Sequence, residues 1–129
     1  MADADTKIEW RLELINIPVS DVDRAIEFYV EKAGFALDHD HAVGDEIRFV
    51  QLTPKGSAAS IAIGRGLSGA EPGSVQGMQL VVDDIEPAHA ELAARGVEVG
   101  EVQDFPWGRF VFFQDPDGNG WAVQEIQTP

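Results

Sequence analysis

The chain has 129 residues, with 9 basic and 23 acidic side chains, a formal charge of −14 and 44% apolar residues. That charge disfavours nucleic acid and anionic membranes as partners, since both are held by neutralising phosphates with Lys and Arg. The apolar share is that of a folded domain, and the lack of cysteine excludes disulfides, a thiol nucleophile and thiolate metal ligands.

Met1-Ala2-Asp3-Ala4-Asp5 is acidic and has no apolar run, so no signal peptide is expected there. No run of 18 apolar residues is present to span a bilayer, and a cytoplasmic protein is the expectation. Trp10 to Val19 alternates as a strand, with Leu12, Leu14 and Asn16 on one face. Ser20 is a candidate N-cap, with Asp23 completing a weak capping box. Val22, Ala25, Ile26 and Tyr29 follow helical spacing, and Gly34 ends that helix. Phe35–His41, Glu46–Thr53 and Ser57–Gly64 then read as strands joined by tight turns.

Residues 66–76 are rich in Gly, Ser and Pro, lack periodicity and form a linker. Met78–Val82 reads as a strand, and Asp83 or Asp84 caps a helix that tolerates Pro87 in its first turn and ends at Arg95 and Gly96. Val97–Val102, Gly108–Gln114 and Gly120–Ile126 are three further strands, the last two joined by the turn Asp115-Pro116-Asp117-Gly118-Asn119.

The order repeats. Ile17-Pro18-Val19-Ser20-Asp21-Val22 returns as Leu80-Val81-Val82-Asp83-Asp84-Ile85, Gly34 as Gly96, and Arg48-Phe49-Val50 as Arg109-Phe110-Val111. The reading is one domain, 1–129, of two βαβββ modules, 9–65 and 77–127. Each repeat is near the size at which a lone core is marginal, so the modules should pair, within or between chains.

Two such modules, with V-S-D-V-D-R-A-I-E-F-Y early and D-P-D-G-N late, resemble the vicinal oxygen chelate superfamily of glyoxalase I, bleomycin-resistance proteins, fosfomycin-resistance enzymes and extradiol dioxygenases. The resemblance covers about Trp10 to Ile126. It implies an α+β fold in which curled mixed sheets with flanking helices enclose a cup, often completed by a homodimer. It also implies, in metal-dependent members, one ligand on the first and fourth strand of each module. Those positions fall on Leu14, Ala62, Gly77 and Ala122, none of which carries a donor atom. No metal and no cofactor are therefore expected.

If Leu14 and Gly77 point into the cup, period-two geometry sends Asn16 and Gln79 there, and Ala122 brings Gln124. These amides either orient a ligand or satisfy buried backbone groups. Arg48 and Arg109 occupy matching places: inward they would clamp a carboxylate or phosphate, outward they would be solvated or paired with acids. Trp107 is a candidate for the rim of the cup, whereas Trp121, Phe28 and Tyr29 read as core. His39 and His41 share one strand face, with Asp38 and Asp40 expected on the other, and His89 reads as a surface residue; none supplies an obvious general base.

The functional expectation is a small-molecule binder, the charge favouring a cationic ligand, as in the bleomycin-resistance branch. The alternative is an enzyme of the same superfamily, of lyase, isomerase or dioxygenase type, with acid–base residues or a metal site elsewhere. A module that binds a partner protein is the third possibility.

Overall fold

Alternation decides which side of each strand is covered. Val50 and Leu52, Ile61 and Ile63, Val111 and Phe113, and Trp121 and Val123 are each two residues apart, and all enter one buried apolar core. Their alternate neighbours face the other side.

The computed structural model describes residues 7–126. The acidic start Met1–Asp5 and the expected end of the second module at 127 lie outside the described residues. The first module runs β1 (Leu14–Asn16), α1 (Val22–Glu27) prolonged by a π-helical stretch (Phe28–Lys32), β2 (Ala36–Val43), β3 (Ile47–Thr53) and β4 (Ser60–Arg65). The second runs β5 (Met78–Val82), α2 (Ile85–Ala94), β6 (Gln103–Phe105), β7 (Gly108–Gln114) and β8 (Gly120–Ile126). The sheets are ordered β1-β4-β3-β2 and β5-β8-β7-β6. The β1–β4 and β5–β8 pairs are parallel and the others antiparallel, so both sheets are mixed and the fold is α+β.

α1 joins the modules. Its Phe28 and Tyr29 reach the second sheet, with ring centroids 6.2 Å from Phe113 and 5.9 Å from Trp121. Burying such rings contributes about 1.5–3 kcal/mol each. Trp121, Phe28 and Tyr29 are therefore core, as expected.

The turn at 115–119 fastens the seam with polar contacts. Asp115 Oδ1 accepts from the backbone N–H groups of Asp117 and Asn119, at 3.0 and 2.9 Å. Its Oδ2 accepts from the Tyr29 hydroxyl at 2.7 Å and from Asn119 Nδ2 at 2.8 Å. Asn119 also donates to the carbonyl of Pro18 and accepts from the amide of Val75. Among the described residues no buried side-chain N or O lacks a partner.

Three local expectations change. β1 is only Leu14–Asn16, because β4 starts at Ser60, opposite Leu14, and the earlier residues have no neighbouring strand; Trp10 is 85% exposed. The α1 N-cap is Asp21, whose carboxylate accepts from the amide of Arg24, because Ser20 is engaged by Asp117 at 2.6 Å. β6 begins at Gln103 rather than Val97, since Val97 packs into the core at the end of α2. Gly34 and Gly96 both take positive φ just past their helices, as the matching stops required.

Candidate functional site

The side of each sheet away from the core forms the candidate site. On the first sheet Leu14 is half-buried in register with Ser60, and Asn16 lies beside Ala62, which is fully buried. On the second, Gln79 is exposed and pairs with Ala122, and Gln124 pairs with Phe110. Gly77 precedes β5 with φ +85, and a Cβ there would meet nothing within 4 Å. The structure thus leaves open space at Gly77.

The amides form a chain. Gln79 Nε2 donates to Gln124 Oε1, and Gln124 Nε2 donates to the carbonyl of Trp107 at 3.0 Å. The second reach fixes the loop bearing Trp107, whose ring is 64% exposed and stacks on Phe105 with centroids 5.4 Å apart. Phe105 meets Phe110 edge-on at 5.5 Å, and Phe110 lies parallel to Phe112 at 5.8 Å. Four rings in a row line this side of the second sheet. Sequence reasoning missed Phe110 and Phe112, although the alternation from core residue Val111 carried the signal.

Arg48 and Arg109 do not join them. They share the faces of Val50 and Val111 and are consumed behind the sheets. Arg48 grips Asp40 through Nε and Nη2, at 3.0 and 2.9 Å, and reaches Asp23 of α1 at 3.0 Å. Arg109 repeats the pattern with Asp104 at 2.8 Å and Glu86 of α2 at 2.9 Å. Hydrogen bonds from Arg48 hold the Asp40 carboxyl below its ordinary value. The carboxylate partners likewise raise both guanidinium groups, Asp40 first for Arg48 and Asp104 first for Arg109. Of the two placements open from the sequence, the structure has the ion-paired one, and each arginine forms a strand–helix strut.

The first sheet holds a correction. β2 slips register between Leu37 and His39, inserting Asp38 as an extra residue. Asp38 is thereby turned towards Thr53, whose hydroxyl donates to it, and shares the open side with His39 and His41 instead of opposing them. The two imidazoles stack with centroids 5.8 Å apart.

Two hollows take up some of the expected site residues. A cleft of about 840 Å³ is lined by Gly77 and Ala122 with Phe112, and also by Phe28, Lys32 and Val97; Gln79, Gln124 and the other three rings do not line it. A smaller one, about 230 Å³, lies beneath the start of the linker and includes Asn16, Ala62 and Leu67. The larger is within the range that holds a drug-sized molecule.

Residues 11–123 match the Glyoxalase/Bleomycin resistance protein/Dioxygenase superfamily. The chain belongs to this superfamily. YetH of Bacillus subtilis (strain 168), described as uncharacterized, is 32% identical over 115 residues, covering 86% of this chain and 94% of YetH. TnmS3, an antibiotic binding protein from Streptomyces sp. CB03234, is 37% identical with TM-score 0.84, covering 95% of this chain and 99% of TnmS3. A superfamily member from Sphaerobacter thermophilus DSM 20745 is 32% identical with TM-score 0.78, over 90% of this chain and 97% of that one. At the positions that the resemblance assigns to metal ligands stand Leu14, Ala62, Gly77 and Ala122, whose side chains carry no donor atom. Among the described residues no group of three or more His, Asp or Glu is placed to hold a metal. The residues present do not fit the superfamily's metal.

Proposed function

We propose that the protein binds a small, cationic organic molecule in its cup, without a metal and without transforming it. The observation that carries this reading is the row of rings Trp107, Phe105, Phe110 and Phe112 beside the Gln79–Gln124 amides, at a centre whose ligand positions are hydrocarbon. Such a surface offers stacking area and a few orienting hydrogen bonds, the usual make-up of a ligand site. The likeness to TnmS3 supports it, since that protein binds an antibiotic.

The reading includes a cytoplasmic homodimer acting as one domain, with modules 9–65 and 77–127 joined by the linker 66–76. Each chain leaves Val81 61%, Trp107 64% and Phe112 41% exposed, apolar surface that the first sheet of a second copy would cover. Among the described residues no helix is long and apolar enough to cross a membrane.

Metal analysis of protein purified without chelator, paired with a thermal-shift screen of cationic antibiotics, tests the proposal. Substoichiometric metal and a shift for at least one aromatic cation are expected; a ligand at 100 times its Kd adds about 2.7 kcal/mol. Stoichiometric metal whose removal abolishes a lyase, isomerase or dioxygenase activity would replace the reading with the enzymatic one. Silence across the screen would favour a module for protein partners.

A further inference from the structure

We propose that Asp38 is the residue that recognises the positive charge of the ligand. This rests on the small-molecule reading above and names the contact that selects among such molecules.

Three hydrogen bonds in a row share one direction. Gln51 Nε2 donates to Ser60 Oγ at 3.1 Å, Ser60 Oγ and Thr53 Oγ1 are 2.7 Å apart, and Thr53 Oγ1 donates to Asp38 Oδ2. Thr53 has one hydroxyl proton, and Asp38 takes it. The proton between the two hydroxyls therefore belongs to Ser60, whose lone pair accepts from Gln51. Every donor in the row points towards Asp38. Such a row polarises cumulatively and directs its donors at the carboxylate at its end.

The row is anchored at its far end, because Ser60 is 7% exposed in the centre of the first sheet. It engages only Oδ2; Oδ1 accepts no hydrogen bond from the described residues and faces solvent. Asp40, two residues along, is occupied by Arg48 on the other face. Asp38 has no cationic partner among the described residues, the neighbouring imidazoles included. The bulge at Asp38 thus presents an oriented, uncompensated anion on the open side of the first sheet. The open side of the second sheet is aromatic. In the homodimer of that reading, where the first sheet of one copy covers the second sheet of the other, a planar ring system bearing a basic nitrogen would meet both surfaces.

The test uses two probes of one shape: proflavine, a cation at neutral pH, and acridone, which is uncharged. Binding is followed by fluorescence for the wild type, Asp38→Asn and Glu101→Gln, the last removing an exposed carboxylate elsewhere. Asparagine retains an acceptor for Thr53, and circular dichroism and Tm check that each variant is folded. The wild type should prefer proflavine by about tenfold, the scale of one charge-assisted hydrogen bond. Asp38→Asn should erase that preference with acridone affinity unchanged, while Glu101→Gln retains it. Equal loss in both variants, or a preference surviving in Asp38→Asn, overturns the assignment and points to bulk charge. Acridone binding with no preference for the cation overturns the assignment alone, whereas a wild type that binds neither probe removes the small-molecule reading with it.

Discussion

The hydroxyl of Tyr29 donates to Asp115 at 2.7 Å and accepts from Trp121 Nε1 at 3.0 Å, linking the first helix to the second sheet at a point where Tyr29 has no exposure. Tyr29→Phe retains the ring packing but leaves the Trp121 indole without its acceptor and Asp115 without one donor. A loss of about 1–3 kcal/mol is expected in urea unfolding. A change below about 0.3 kcal/mol would show that the seam is held by the rings alone.

The same phenol predicts alkaline behaviour. Burial first, and the Asp115 carboxylate second, raise it above its ordinary value. The unfolded chain releases this proton near pH 10 while the folded one keeps it, so the stabilisation is complete below about pH 10 and falls as pH rises further. Melting curves between pH 8 and 12 should show a decline that sets in near the ordinary phenol value of about 10 and that Tyr29→Phe lessens. Parallel declines in both proteins would refute this.

Arg48 separates two roles by two readouts. As a strut to Asp40 and Asp23, its replacement by Met should cost no more than about 1 kcal/mol, as exposed ion pairs do. It should leave ligand affinity unchanged. At acid pH the Asp40 carboxyl, held low by Arg48, contributes stability above about pH 3.9 that fades as pH falls through its folded value. Arg48→Met should remove that part of the acid slope. A tenfold loss of affinity would instead return Arg48 to the binding surface.

Gly64 lies where β4 has no room for a methyl group. A Cβ would come 1.8 Å from the carbonyl oxygen of Arg48 and 2.9 Å from Leu67. The first contact is backbone and cannot swing away. Gly64→Ala should therefore destabilise the protein by on the order of 3 kcal/mol, read from its Tm. An unchanged Tm would mean that the β3–β4 pairing shifts freely.

Gln79→Leu breaks the amide chain that ends on the Trp107 carbonyl. Any ligand-induced thermal shift should shrink or vanish, while the bond from Gln124 Nε2 to the Trp107 carbonyl, which does not involve Gln79, stays in place. A full-sized shift in the variant would exclude this amide from the site.

The repeat made the modules legible, because a helix stop and an arginine strand recurring at nearly constant offsets can only be duplicated architecture. The resemblance placed Leu14 and Ala122 on the side away from the core, and alternation added Gln79 and Gln124; none of the four belongs to the core cluster. Asp38 was not legible. Period-two counting assumes an unbroken strand, and one extra residue opposite Leu52 and Gln51 reverses the faces before it. The struts were only half legible, since the repeat that matches Val22 with Ile85 also matches Asp23 with Glu86, but sequence did not show that each arginine reaches its helix.

Both arginine struts and the Tyr29–Asp115 fastening lie on the helix-bearing side of the sheets. Much of the open side is thereby relieved of holding the molecule upright. Mutational drift could recolour one wall with aromatics and the other with polar groups while the scaffold stayed within its stability margin, so relatives of one shape can diverge in cargo without first being refolded.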